Sequence, residues 1–123
     1  VMRLSGGNLL VGTTSGSDKV TVNGTVSATN FNTTSDATLK TNVETLSGSL
    51  DAVKSLRGVS FDWLENGGSE IGVIAQEVEV VLPEAVSESE DGTKTVDYNA
   101  VIALLVESIK ELKAEVSQLK GGD

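Results

Sequence analysis

Apolar and polar positions along this 123-residue chain follow different rhythms, and the change of rhythm divides the sequence. Residues 1–34 are rich in Gly, Ser, Thr, Asn and Val. Short stretches such as Lys19-Val20-Thr21-Val22-Asn23-Gly24-Thr25-Val26 alternate with a period of two, the pattern of strands broken by turn residues. Strands so short and so poor in large apolar groups bury little surface in one copy. They read as part of a stacked β structure shared between subunits, with a flexible linker as the plainer alternative.

From Ser35 the pattern is mixed. Thr41-Asn42-Val43-Glu44 has the form of a capping box, and Val43, Leu46, Leu50 and Val53 follow at helical spacing, which predicts a helix over about 42–55. Gly58 to Leu64 alternates like a strand, with Phe61 and Trp63 expected on opposite faces and core on at least one side. Asn66-Gly67-Gly68 turns the chain. Ile71, Ile74, Ala75, Val78 and Val81 mark one side of a second helix that stops at Leu82-Pro83. Asp91-Gly92, flanked by Ala85-Val86-Ser87 and Thr93-Lys94-Thr95-Val96, predicts a two-residue hairpin turn.

The last segment is the most regular. Tyr98, Ile102, Leu105, Ile109, Leu112, Val116 and Leu119 are spaced 4, 3, 4, 3, 4, 3, an unbroken heptad seam on a helix over about 97–120. Glu115 and Lys120 fall beside it, where charges pair between chains. Ile and Val at one seam position with Leu at the other lean towards a dimer. Val101, Leu104 and Val106 widen the face, which suits three strands or packing onto the rest of the domain. The seam predicts an oligomer without fixing its number. The fold class expected is α+β: an N-terminal intertwined β segment, a small mixed helix and hairpin domain, and a long C-terminal helix.

Composition narrows the chemistry. The chain has no His and no Cys, so imidazole bases, thiolate nucleophiles, disulfides and the usual zinc and haem sites are excluded. No cofactor or metal is expected. Its 18 acidic and 9 basic side chains give a net charge of −9, unfavourable for nucleic acid or an acidic membrane surface, and no apolar run is long enough to span a bilayer. Within residues 1–34 the only charged side chains are Arg3, Asp18 and Lys19, so the acidity belongs to the part after the border. Four aromatics and 13 glycines are a thin supply of core for a lone globule.

Serine and threonine remain as nucleophiles, lysine and carboxylates as bases. Ser35-Asp36-Ala37-Thr38-Leu39-Lys40 stands at the composition border. A serine can be activated by a neutral lysine amine. An ordinary lysine holds its proton to about pH 10.4, so such a base needs burial or a cationic neighbour. On spacing alone the pair is weak, since Ser35 and Asp36 also suit a turn or a helix cap. Glu77 and Glu79, and Glu88, Glu90 and Asp91, read as solvated surface.

An ordered series of blocks adds to this: Ser35-Asp36-x-x-x-Lys40-x-Asn42, Leu56-x-Gly58-Val59-x-Phe61-x-Trp63, Gly72-Val73-Ile74-Ala75-Gln76-Glu77-Val78, Leu82-Pro83-Glu84-x-Val86, Asp91-Gly92-x-Lys94-x-Val96-x-Tyr98, and Ala103-Leu104-Leu105-Val106-Glu107-x-Ile109-Lys110-Glu111-Leu112. Over about 35–120 it resembles the C-terminal intramolecular chaperone domain of phage tailspikes and tail fibres, the endosialidase type. Residues 1–34 resemble the end of the fibre stalk that such domains follow.

The resemblance implies a homotrimer in which residues 35–123 align three fibre chains. The domain would fold its client and substrate, the upstream stalk of the same polypeptide, and then cut itself off. It implies Ser35 as nucleophile, Lys40 as its base and later acid, and Thr34–Ser35 as the scissile bond. Asp36 would support them by orienting the lysine or by capping the following helix, and both roles stay open. The seam residues would form a trimeric coiled coil. The setting implied is a virion tail fibre or tailspike precursor made in the host cytoplasm, with the chaperone released after cleavage. The alternative is a trimerisation tip that stays attached and has no activity. A receptor-binding tip would display exposed aromatics, and this chain has few.

Overall fold

A computed structural model of the chain describes residues 1–65 and 67–121. Two compact units are present, one formed by Val1–Glu44 with Glu88–Thr93, the other by Thr45–Ser87 with the chain from Lys94 onward.

In the first unit, β1 (Met2–Ser5) and β2 (Asn8–Val11) form an antiparallel hairpin with Ser5 opposite Asn8. Gly6 and Gly7 make its turn at φ +56° and +82°. Two successive positive φ angles are what a tight primed turn demands, and a side chain resists them. Strand β3 (Val20–Val22) pairs parallel to β2, with Leu9 opposite Val20. The alternation that predicted strand as far as Val26 stops earlier, and Gly24 turns away at φ +150°. Leu10 is buried at 2% exposure, whereas Met2, Leu4 and Val20 stay exposed. This small sheet therefore keeps one large apolar side chain dry and leaves several wet in the single chain.

The second unit holds the larger core. Helix α1 covers Ser49–Lys54, not 42–55. The capping box is not used: Asn42 sits at φ +54°, and Gly48 at φ +65° precedes the first turn. A glycine inside the proposed helix and a left-handed Asn at its start outweigh the apolar spacing, and Val43 and Leu46 lie exposed. Strand β4 (Val59–Asp62) pairs antiparallel with β5 (Ser69–Gly72). Asn66 of the predicted turn lies outside the described residues. Phe61 and Trp63 share a face rather than opposing each other, as residues two apart on a strand must. Their rings meet edge to face at 5.1 Å, and Trp63 stays half-exposed instead of entering the core.

Helix α2 is Ala75–Val81, so the predicted helix loses its first turn to β5, where Ile71 faces solvent. Short apolar runs fit either period, and here cross-strand pairing wins. The helix ends before Leu82-Pro83 as expected, and Pro83 opens a short 3-10 turn to Ala85. β6 (Val86–Glu88) and β7 (Lys94–Val96) form a hairpin whose loop is longer than two residues. The Ser89 amide donates to Thr93 O, the Gly92 amide donates to Ser89 O, and Gly92 takes φ +86°, so Glu90, Asp91 and Gly92 form the loop.

Helix α3 runs from Tyr98 to Leu119, about 33 Å at 1.5 Å per residue. Asp97 caps it by accepting from the Asn99 amide at 3.0 Å. Val78 of α2, Leu82 just after it, Ala85 of the 3-10 turn and Leu104 of α3 form the buried core, with Ala52, Val53, Leu56, Val73, Val96 and Ala100 packed around them. Burying each such Val or Leu contributes about 2 kcal/mol. The helix buries Leu104, Ser108 and Ser117. All seven seam residues remain exposed, from 37% at Val116 to 89% at Leu119. The protein is thus α+β with small sheets and a long C-terminal helix whose heptad stripe stays partly or largely exposed among the described residues.

Candidate active site

The segment from Ser35 to Asn42 builds its own geometry. Asp36, in extended backbone conformation, uses Oδ1 to accept from the Thr38 amide at 2.8 Å and from Thr38 Oγ1 at 2.7 Å. This is the side-chain cap of a 3-10 turn over Ala37–Leu39. The Leu39 amide donates to Asp36 O at 3.0 Å and the Lys40 amide to Ala37 O at 3.1 Å, closing the turn. Lys40 leaves it in extended conformation. Its side chain comes back along the turn, and Nζ donates to Ser35 Oγ at 2.5 Å. Asn42, the one described non-glycine residue at positive φ, then redirects the chain; Asn tolerates that region better than most side chains.

The turn therefore brings Ser35 and Lys40 together and directs Asp36 to Thr38. Of the two roles left open for Asp36, the contacts are those of a cap. The paired donors, the Thr38 amide first and its hydroxyl second, hold the Asp36 carboxyl below the usual aspartate range. Thr34 directly precedes Ser35, so Oγ lies on the residue whose amide nitrogen belongs to the Thr34–Ser35 bond. Attack on the Thr34 carbonyl needs only closure of a small ring within the chain.

Ser35, Asp36 and Lys40 are all exposed in the single chain. The turn supplies proximity and direction, while the burial that favours a neutral amine is not supplied by this loop. Sequence reasoning passed over Thr38. Its signal was available, because Asp followed two residues later by a residue with an amide and a hydroxyl is an ordinary turn-capping pattern. Glu111 also went unremarked in any role: its carboxylate lies on the first amides of α1, a contact spanning 62 residues that no local pattern encodes.

Among the described residues no cluster of three acidic side chains is placed to hold a metal ion, and no helix is long and apolar enough to cross a membrane.

Residues 35–87 match the family described as chaperone of endosialidase. The chain is 43% identical over 104 residues to the long tail fibre protein Gp37 of Enterobacteria phage K3, and equally so to that of Enterobacteria phage T2; each match covers 77% of this chain and 8% of the relative. It is 38% identical over 96 residues to Gp37 of Enterobacteria phage M1, covering 70% of this chain and 38% of the relative. The chain thus spans only a small part of the long tail fibre proteins it matches. With the match beginning at Ser35 and taking in the capped turn, residues 35–87 belong to the chaperone of endosialidase family, in a chain related to phage long tail fibre proteins.

Proposed function

We propose that this chain is the intramolecular chaperone of a phage tail fibre, which assembles as a homotrimer, folds the stalk that precedes it, and removes itself by cutting Thr34–Ser35. The observation that carries the cleavage step is the contact of Lys40 Nζ with Ser35 Oγ at 2.5 Å, formed on the residue next to the bond to be cut. The seven exposed seam residues of α3 support trimerisation, and the family and its tail fibre relatives support the chaperone role.

In the reaction a neutral Lys40 amine takes the Ser35 hydroxyl proton while Oγ bonds to the Thr34 carbonyl carbon. The C–N bond to Ser35 then breaks, and Lys40 returns its proton to the departing amine. The chain is now joined through an ester. Water hydrolyses it, leaving a carboxylate on Thr34 and restoring the Ser35 hydroxyl. Because nucleophile and target share one chain, proximity replaces a substrate pocket, and a single turnover completes the task.

An excisable trimer suits the client. Strands woven from three chains are non-local and slow to nucleate, and joining their ends raises their effective concentration. Once the joining domain leaves, the fibre persists because it cannot readily unfold through that end. The location that follows is a tail fibre precursor in the host cytoplasm, with the chaperone released on maturation.

The exposure of Ser35 and Lys40 favours a second reading, an uncleaved trimerisation tip in which the pair is idle. Denaturing gels of wild type and Ser35→Ala after assembly separate the two. The first reading expects a 35–123 fragment in wild type alone; a full-length wild type leaves the tip.

A further inference from the structure

We infer that Asp36 is a positioning residue for the self-cleavage, acting through Thr38 to fold Lys40 onto Ser35, and that it does not act as a counter-ion to the lysine. The inference rests on the Ser35–Lys40 reading and adds the device that assembles that pair.

Asp36 stands next to the nucleophile and within one turn of Lys40, so an ion pair with the lysine is sterically simple. The structure directs the carboxylate elsewhere: one oxygen takes both Thr38 donors, at 2.8 and 2.7 Å. Two consequences follow. The first is geometric. Fixing the Thr38 amide to Asp36 closes the turn over Ala37–Leu39, and that turn sets where Lys40 leaves it. From there the lysine side chain reaches Ser35 Oγ. An uncapped turn of three residues has no neighbouring helical turns to hold it, so the pair would separate.

The second consequence is electrostatic. A carboxylate on a lysine favours the ammonium form, the wrong form for a base that must take the serine proton. Holding the Asp36 carboxylate on Thr38 keeps it out of a direct ion pair with the lysine while the carboxylate stays exposed and bonded. The Thr38 donors hold the Asp36 carboxyl below the usual aspartate range, which agrees with a carboxylate stabilised in its charged form.

The two roles predict different outcomes for isosteric and truncating changes. Asn keeps the accepting oxygen and is as good a cap as Asp, but carries no charge. Asp36→Asn should therefore cleave near the wild-type rate with an unshifted pH profile. Asp36→Ala loses both bonds and should slow cleavage about 100-fold, the scale of a misplaced reacting group. Thr38→Ser should match wild type, and Thr38→Val should fall between, since it keeps only the amide bond.

The experiment measures cleavage rate against pH for full-length chains carrying these changes, beside Ser35→Ala and Lys40→Ala. A crystal structure of Asp36→Ala adds a readout that does not need activity, with Lys40 Nζ expected beyond about 3.5 Å from Ser35 Oγ. Asp36→Asn as slow as Asp36→Ala, or a shifted pH profile, would overturn the positioning role in favour of a charge acting on Lys40. A retained Lys40–Ser35 contact in Asp36→Ala would overturn it whatever the rates. Cleavage that survives Lys40→Ala sinks the Ser–Lys reading instead, and the structure still decides the part played by Asp36.

Discussion

The Glu111 carboxylate on α3 accepts from the backbone amide of Ser49 at 2.9 Å, with its second oxygen 3.4 Å from the Leu50 amide. Helix α1 has no side-chain cap of its own, since Gly48 stands before it, and six residues are too few to persist unaided. A carboxylate borrowed from a distant helix satisfies the free amides and complements the positive helix end. Glu111→Ala is expected to cost about 1–2 kcal/mol, and Glu111→Gln less. Urea unfolding followed by circular dichroism reads both, and an unchanged Glu111→Ala midpoint would contradict the capping role.

Beside that cap, Ser49 is fully buried and its hydroxyl has no hydrogen-bond partner among the described residues. An unmatched buried hydroxyl is unfavourable, so Ser49→Ala should leave stability unchanged or raise it by up to about 1 kcal/mol. The same unfolding experiment tests this, and a clear loss would mean that the hydroxyl finds a partner in the assembled protein.

Asp91 sets a pH dependence. Its carboxylate accepts from the Ser89 hydroxyl and from the Thr93 amide, which hold the Asp91 carboxyl below the usual aspartate range. Folding thus prefers the charged form. The contribution is complete above the unfolded carboxyl value and is lost as pH falls through the lower folded one. Arg57 does the same for Glu77 through a bidentate pair, with bonds of 2.9 Å. Carboxyl titration by NMR should place Asp36, Glu77 and Asp91 below their ordinary midpoints, and a midpoint at or above those values would contradict the bonding described.

The exposed stripe of α3 gives a prediction about assembly. Leu105 and Leu112 are 41% and 48% exposed in the single chain, so changing both to Asp should leave the fold of a protomer intact. The double variant is expected to sediment as a monomer and the wild type as a trimer, because buried charges in a seam are prohibitive. A monomeric wild type, or a trimeric variant, would remove the seam from the assembly.

What could be read in the sequence was local. The heptads of α3 and the proline after α2 announce themselves within a few residues, and α3 and the end of α2 lie where those signals put them. Gly92 marks the β6–β7 loop, although that loop is longer than the two-residue turn expected. The start of α1 did not, because a left-handed Asn42 and a cap donated by Glu111 are invisible to helical spacing. Ile71 misled for a related reason: pairing between Ser60 and Ile71 across two strands decided its state. At the candidate site Ser35 and Lys40 were legible as a pair of residue types. A cap at Asp36 was legible too, but not that the turn it caps folds the Lys40 side chain back onto Ser35.

The proposed function turns on cleavage of the chain by itself at Thr34–Ser35. Intact mass of the assembled protein, taken under native and then denaturing conditions for wild type and Ser35→Ala, tests it most directly. The expected result is a native trimer in both, resolving on denaturation into a 35–123 fragment and its upstream remainder in wild type and into full-length chain in Ser35→Ala. A full-length mass for the denatured wild-type trimer, or cutting in Ser35→Ala, would contradict it.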